Sequence, residues 1–259
     1  FKQKTAYEIL SGLVGSEMCI RDRLIAGAET IKLKIPLTPL EILEKTKELI
    51  YLNGSKNCIA RLTVTRGSSE RGYDFTGDEI STSLICLYEM PATGKKNVSL
   101  SITNTRVAAS DILTKIKSNN KLSSIMAKRF AKERNTDDGL MINSEGNITE
   151  TSSANIFCIK DGVVRTPPIN DGVLPGVTRR LTLGLASSLG LVVKEESITP
   201  MNLKQANAIF VTSAATGIRN VEQIEETKFS KNKLVNQLQK AYDEELSKHE
   251  VLVAKSTGY

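Results

Sequence analysis

Between Gly139 and Arg180 the chain reads GLMINSEGNITETSSANIFCIKDGVVRTPPINDGVLPGVTRR, and this stretch limits the possible folds more than any other. Leu140-Met141-Ile142 reads as a strand, Ser144 to Asn147 as its turn, and Ile148 to Glu150 as the returning strand. A second hairpin follows at once, with Asn155 to Ile159 and Val163 to Thr166 flanking Lys160-Asp161-Gly162, where Asp-Gly is a favoured tight-turn pair. Leu174-Pro175-Gly176-Val177-Thr178-Arg179 then turns into an apolar helical run, Leu181 to Leu189. The backbone N–H groups at such a helix start have no carbonyl partner within the helix, so they make an anion site. Hairpins that feed a helix in this way predict an α/β protein.

The flanking segments extend the pattern. Leu24, Ala28, Ile31 and Ile35 recur at helical spacing and predict a helix that Pro36 ends. Pro39 to Tyr51 predicts a second, stopped by Asn53-Gly54. Ala60 to Arg66 and Ser81 to Tyr88 alternate as paired strands around the glycine-rich, basic loop RGSSERGYDF, with Gly67 and Gly72 as turn glycines. After a turn at Gly94 to Asn97, Val98 to Thr103 is a further strand. Ser123 to Lys132 predicts a helix with Leu122, Ile125, Met126 and Phe130 inward. Later come a short buried strand at Leu191 to Val193, a short helix at Met201 to Ala206, a strand at Ala208 to Ser213 and a terminal amphipathic helix at Ser230 to Lys248.

Composition removes several classes of function. The net charge is +6 over 259 residues, yet the lysines are spread through helices and turns rather than massed with aromatics, so nucleic-acid binding is not expected. No segment is long and apolar enough to predict a membrane span. Cys58, Cys86 and Cys158 sit in apolar strand-like runs without disulfide or metal-ligand spacing, which predicts reduced thiols, no metal site and a cytoplasmic protein. The only histidine, His249, stands in the C-terminal tail, which argues against a histidine-based triad or metal cluster.

Three motifs, in order, carry a family resemblance. Lys117-Ser118-Asn119-Asn120 is similar to a Lys-(Ser/Thr)-x-Asn segment. Glu150-Thr-Ser-Ser-Ala-Asn155-Ile-Phe157 and Leu174-Pro-Gly-Val-Thr-Arg179 follow it at fitting distances. Together they resemble the fold-type IV enzymes that depend on pyridoxal 5′-phosphate, the class IV aminotransferase family, from about Arg23 to about Val221. The resemblance implies a two-domain α/β fold, a homodimer with the cofactor between domains, and a small amino or amino-carboxylate substrate.

The resemblance also implies roles. Lys117, preferred over Lys115 and Lys121 because only it has Ser118 next and Asn120 three residues on, would carry the cofactor and move the reacting proton. Lys115 and Lys121 would face solvent. Such a lysine needs desolvation or nearby positive charge to lose its proton. Glu150 would hold the cofactor's pyridine nitrogen protonated, which strengthens the ring as an electron sink. Leu174 would pack on the ring, while Gly176, Val177 and Thr178 would line the phosphate cup and Arg23 would reach the same phosphate. The family's phosphate-binding threonine after the next strand is replaced by Ala214, leaving Thr212 or Ser213 to substitute. The Arg-Gly-x-x-x-Arg-Gly-Tyr loop resembles most the aminodeoxychorismate lyases of the family, with D-amino-acid transaminases related nearby. Arg71 would grip a substrate carboxylate in a two-point fork, with Tyr73 its neighbour.

The beginning of the chain reads differently. Lys2 to Ile9 and Leu13 to Arg23 resemble in-frame translations of the two constant parts of a sequencing-library adapter, with Leu10-Ser11-Gly12 between them. Residues 1–23 are therefore expected to be adapter-derived and to pack without a consistent core. The expected division is then a small α/β domain over 24–112, truncated at its N-terminus, and a larger cofactor-bearing domain over 113–259.

Overall fold

The structure, a computed structural model, describes all residues except 1–3, 11–13, 56–57, 70, 72, 91–96 and 258–259, and only the backbone of 4–10, 14–19 and 249–257. Ser11-Gly12, Gly72, the Gly94 to Lys96 part of the expected turn and the His249 side chain thus lie outside the described residues. The elements in chain order are β1 (Lys4–Leu10), α1 (Val14–Thr30), α2 (Pro39–Leu52), β2 (Cys58–Thr65), β3 (Thr82–Glu89), β4 (Asn97–Val107), α3 (Leu122–Glu133), β5 (Asp138–Asn143), β6 (Ile148–Thr151), β7 (Asn155–Lys160), β8 (Val163–Thr166), α4 (Val177–Ser188), β9 (Val193–Glu195), α5 (Pro200–Lys204), β10 (Ala208–Ser213), β11 (Gly217–Ile224), β12 (Thr227–Lys228) and α6 (Lys233–Thr257). The described residues divide into two compact units, one of 1–92, 116–120 and 252–259, the other of 93–115 and 121–251.

The first unit is built on an antiparallel sheet in the order β1-β2-β3. The central strand β2 is buried along most of its length, with Leu62 and Val64 at most 1% exposed. A buried central strand needs backbone partners on both edges. Thr65 to Ile59 pair with Lys4 to Leu10 on one side and with Thr82 to Tyr88 on the other. The pairing with β1 engages the backbone of the stretch that resembles adapter sequence, and Ile20 and Leu24 of α1 are both buried. Helix α1 ends at Thr30 rather than running on to Pro36. Lys32 takes a left-handed φ of 51°, and the N–H of Leu33 donates to Ala28 O, so the chain folds back and buries Leu33. Helix α2 starts on a capping box in which the Thr38 hydroxyl and the Glu41 carboxylate satisfy each other's backbone N–H. Those bonds hold the Glu41 carboxyl below its ordinary range.

The second unit carries a nine-stranded sheet in the order β10-β11-β4-β5-β6-β7-β8-β9, with β12 on β11. A further antiparallel pairing of β10 with β7, Thr212 to Ala208 against Asn155 to Ile159, closes six of these strands into a ring. One side of the strands buries Leu100, Leu140, Ile156, Ile209, Val211 and Ile224. The other packs Phe157, Phe210 and Ile159 against Val235, Leu238 and Tyr242 of α6 and Ala186 of α4, with Phe157 and Phe210 stacked at 4.9 Å.

Helix α3 corrects an expectation. Leu122, Ile125 and Met126 are exposed, and the buried positions are Ala127 and Ala131. A Cβ on Gly139 of β5 would come within 2.2 Å of Ala127 O. Helix and strand approach so closely that only alanine and glycine fit between them, which turns the larger side chains outward. The strand expected at Leu191 to Val193 forms instead at Val193–Glu195 and is not buried. Among the described residues no helix is long and apolar enough to cross a membrane, and no group of three potential metal ligands occurs. Cys58, Cys86 and Cys158 take part in no disulfide, and burial pushes the Cys158 thiol up to about 11.

Candidate active site

The second unit brings Glu150, Asn155, Leu174 and Gly176 together. Glu150, the last residue but one of β6, stands opposite Asn155, the first residue of β7. The Asn155 side-chain amide donates to Glu150 Oε2 at 3.1 Å and to Leu174 O at 2.9 Å, while the Leu174 N–H donates to the same carboxylate oxygen at 3.1 Å. Two donors on one oxygen fix the plane of the carboxylate. Gly176 follows from the same packing: a Cβ there would lie 2.0 Å from Asn155 Oδ1. Its φ of −66° is open to any residue, so the glycine answers a close approach rather than a backbone strain.

Gly176 is also the N-cap of α4, and having no side chain it cannot cap the helix. The helix begins at Val177, four residues before the apolar run that signalled it. Val177 and Thr178 are buried in its first turn, their N–H groups pointing out of the helix start. Arg179 next to them is 5% exposed and donates to Pro167 O at 2.9 Å and to Glu195 Oε2 at 2.6 Å. Its buried positive charge adds to the positive end of the helix dipole. The loop entering α4 is held in turn by Asp171, which accepts from Ser197 Oγ through Oδ1 and from Asn143 Nδ2 through its backbone carbonyl.

Strand alternation separates the two candidates beside Ala214. Thr212 stands opposite Asn155 and Ile218, on the sheet face that packs against α4 and α6. It is 1% exposed, and its Oγ1 has no hydrogen-bond partner. Ser213 faces the other way and shares a 2.8 Å hydrogen bond with Thr216 Oγ1.

The first unit holds the remaining candidates. Lys117 is half-buried and follows the buried Ile116. The Ser118 N–H donates to Ile116 O at 2.9 Å and the Asn120 N–H to Ser118 Oγ at 3.3 Å, so Lys117 lies in a chain segment fixed on both sides. Lys115, which closes a segment of the second unit and was expected to face solvent, is half-buried and donates to Asn170 Oδ1 at 3.1 Å because the loop before α4 offers it an acceptor. Arg23 is half-buried in α1. Arg71 and Tyr73 stand exposed on the loop between β2 and β3. The other arginine of that loop, Arg66, is committed: it donates to the carbonyls of Ile31 and Lys32 and lies over the Phe75 ring at 4.5 Å. Asn155, Arg179 and Asp171 are the residues that sequence reasoning passed over. Only Asn155 had a signal, its place five residues after Glu150 across a tight connection.

An uncapped helix start, a buried hydroxyl without a partner and a carboxylate locked in plane fit a phosphorylated, nitrogen-containing ring such as pyridoxal phosphate. With the ring of strands, they define a pyridoxal-phosphate enzyme of fold-type IV. The family described as class IV aminotransferases matches residues 21–224, and the chain belongs to that family. It is therefore an enzyme of a pyridoxal-phosphate-dependent family. A Methanocaldococcus jannaschii protein provisionally assigned as a branched-chain-amino-acid aminotransferase is 31% identical over 86% of this chain and 78% of its own length. The D-alanine aminotransferase of Staphylococcus aureus is 27% identical over 89% of this chain and 83% of its own. A Legionella pneumophila structure provisionally assigned as 4-amino-4-deoxychorismate lyase superposes with a TM-score of 0.86 at 24% identity, covering 94% of this chain and 91% of that one. At that identity the likeness is one of fold.

Proposed function

We propose that the chain is a 4-amino-4-deoxychorismate lyase, releasing pyruvate and leaving 4-aminobenzoate for folate synthesis. The observation that carries this reading is the loop Arg66 to Phe75. Arg66 is consumed in holding the loop, whereas the Arg71 guanidinium stands exposed and suits a substrate carboxylate. Arg219 of β11, half-buried with an Nε that lacks a hydrogen-bond partner, is the candidate for a second carboxylate.

When bound, pyridoxal phosphate supplies an electron sink for the bond broken at the substrate. Glu150, its plane set by Asn155 and Leu174, would keep the pyridine nitrogen protonated. The Val177 and Thr178 N–H groups, the Thr178 hydroxyl and Thr212 Oγ1 would hold the phosphate, Thr212 in place of the threonine that Ala214 replaces, with Arg23 as a further phosphate ligand. Leu174 would contribute an apolar contact for the ring. Lys117 Nζ would hold the cofactor and move the proton that triggers elimination. The protein works as a cytoplasmic homodimer, for which the exposed apolar Leu122, Ile125 and Met126 offer a face. The smaller domain is taken as 24–112 and the larger as 113–259, with 1–23 adapter-derived.

The second reading is an aminotransferase of D- or branched-chain amino acids, favoured by the names of the relatives most similar in sequence. The two differ in stoichiometry: a transaminase needs a keto-acid acceptor, and the lyase does not. Aminodeoxychorismate alone should give pyruvate and 4-aminobenzoate. D-alanine or leucine with 2-oxoglutarate should give no glutamate. Rapid glutamate formation without lyase turnover would select the second reading.

A further inference from the structure

Glu150 sits at an irregularity of its strand. In the pairing of β5 with β6, Leu140 stands opposite Thr151 and Ile142 opposite Ile148. Two residues of β6, Thr149 and Glu150, therefore face the single residue Met141, the count that defines a β-bulge. A bulge turns a side chain out of the regular alternation of its strand and leaves part of the ladder unmade. Thr149 closes one side of the gap by donating its hydroxyl to Met141 O at 3.2 Å. Beyond Glu150 the ladder to β7 is one pair, Glu150 with Asn155, and a single pair does not hold two strands in place. The connection 151–154 needs an anchor outside itself.

That anchor is on β5. Within the connection, Thr151 Oγ1 accepts from the Ala154 N–H at 3.0 Å and donates to Ala154 O at 3.2 Å, which fixes its shape but not its place. Its place is set by Asp138, the first residue of β5 and only 6% exposed. Asp138 Oδ1 accepts from Ser152 Oγ at 2.5 Å and from the Gly139 N–H at 2.8 Å, while Oδ2 accepts from Ser153 Oγ at 3.2 Å. The Ser152 N–H adds a bond to Gly139 O at 3.1 Å. Two oxygens that grip adjacent residues stop the connection from both sliding and turning. The anchor itself is firm, since Gly139 is wedged against the backbone of Ala127 in α3.

We infer that Asp138 is a positioning residue for Glu150: by gripping Ser152 and Ser153 it holds the bulge, and with it the carboxylate plane that Asn155 and Leu174 bind. The inference rests on the reading of Glu150 as partner of the cofactor's pyridine nitrogen. A hydrogen bond weakens steeply as it bends, so a carboxylate that is present but turned loses most of its effect on the ring.

The test uses the apo full-length chain and two ligands that share the aldehyde and the phosphate: pyridoxal 5′-phosphate, and 1-deazapyridoxal 5′-phosphate, in which C–H replaces the ring nitrogen. Equilibrium dialysis gives both affinities, and their ratio isolates the bond at the nitrogen. The parent should prefer pyridoxal phosphate roughly 10- to 100-fold, the strength of a hydrogen bond to a charged group, and Asp138→Ala should reduce that preference to about 3-fold or less. Asp138→Asn, whose amide can still accept from Ser152 and donate to Ser153, should stay within about 2-fold of the parent. Ser152→Ala with Ser153→Ala, placed on Asp138→Asn, removes the grip without emptying the site and should reproduce the Asp138→Ala result even if Asp138→Ala does not fold. In a Glu150→Gln background the loss of the grip should change the preference no further.

A preference that survives the loss of the grip, with only Tm or both affinities falling together, would make Asp138 a structural residue and overturn the inference. A further fall in the Glu150→Gln background would do the same. So would an equal loss in Asp138→Asn and Asp138→Ala, which would assign the effect to charge. If Glu150→Gln by itself left the preference of the parent unchanged, Glu150 would not be the partner of the nitrogen, and that reading would fail first, a result distinct from the failure of Asp138 alone.

Discussion

The stretch from Glu150 to Thr178 and the loop from Arg66 to Phe75 are both rich in polar groups, and they are built in opposite ways. In the first, each side chain is fixed by another: Asn155 spans Glu150 and Leu174, Gly176 admits Asn155, and Arg179 is clamped by Pro167 and Glu195. In the second, Arg66 anchors the loop among its described residues, and Arg71 and Tyr73 stand exposed. Cofactor chemistry is common to a family and needs groups held to within a fraction of an ångström. Substrate choice varies within it and sits on a loop that can change without disturbing the core. The pinned stretch thus speaks of the family, and the open loop of the member.

The comparison is sharpened most by the residue that belongs to neither region. Lys117→Ala should reduce turnover by about 10²- to 10⁴-fold in steady-state assays, with Tm little changed, because it removes the group proposed to move the proton. Borohydride reduction and peptide mapping of the parent should place the cofactor on Lys117, and label on Lys115 or Lys121 instead would remove the assignment. Arg71→Ala addresses the open loop and should raise KM roughly 10- to 100-fold, the worth of a charged hydrogen-bonded pair, with Tm unaffected. A fall in Tm with KM unchanged would mean that the loop is structural after all.

Gly176→Ala makes the complementary test on the pinned side. The methyl group must displace Asn155 Oδ1 from 2.0 Å, so urea denaturation should show a loss of roughly 1–3 kcal/mol together with weaker cofactor binding. If Arg71→Ala destabilised the fold as much, the contrast between the regions would collapse. The smallest effect concerns Cys158 in β7, whose thiol burial raises from 9.0 to about 11. Because the unfolded chain loses this proton first, the stabilisation is complete below pH 9 and is lost as pH rises toward 11. By pH 10 the cost should be about 1 kcal/mol, and Cys158→Ala should flatten the urea-midpoint profile in that window.

Local signals carried much of the fold. Alternation and turn residues predicted both hairpins of the pinned stretch, which form at Asp138–Asn143 with Ile148–Thr151 and at Asn155–Lys160 with Val163–Thr166. Strands β2 and β3 formed close to where the sequence placed them, although β2 is buried nearly continuously rather than in alternation, as a central strand can be. The inward face of α3 was misread because its apolar residues are large and its buried ones are alanines. What decides that face is the closeness of Gly139, which is distant in sequence.

The sequence by itself determined which strands and turns this chain forms and which family its motifs belong to, because periodicity, turn chemistry and ordered motifs are properties of neighbouring residues. Only the tertiary structure decided that β10 closes on β7, that Thr212 rather than Ser213 shares a face with α4, and that Leu174 O accepts from both the Asn155 amide and the Gly176 N–H. Each of these depends on which distant group reaches a given donor or acceptor first. That competition is settled by packing across the sheet, where no local pattern records it.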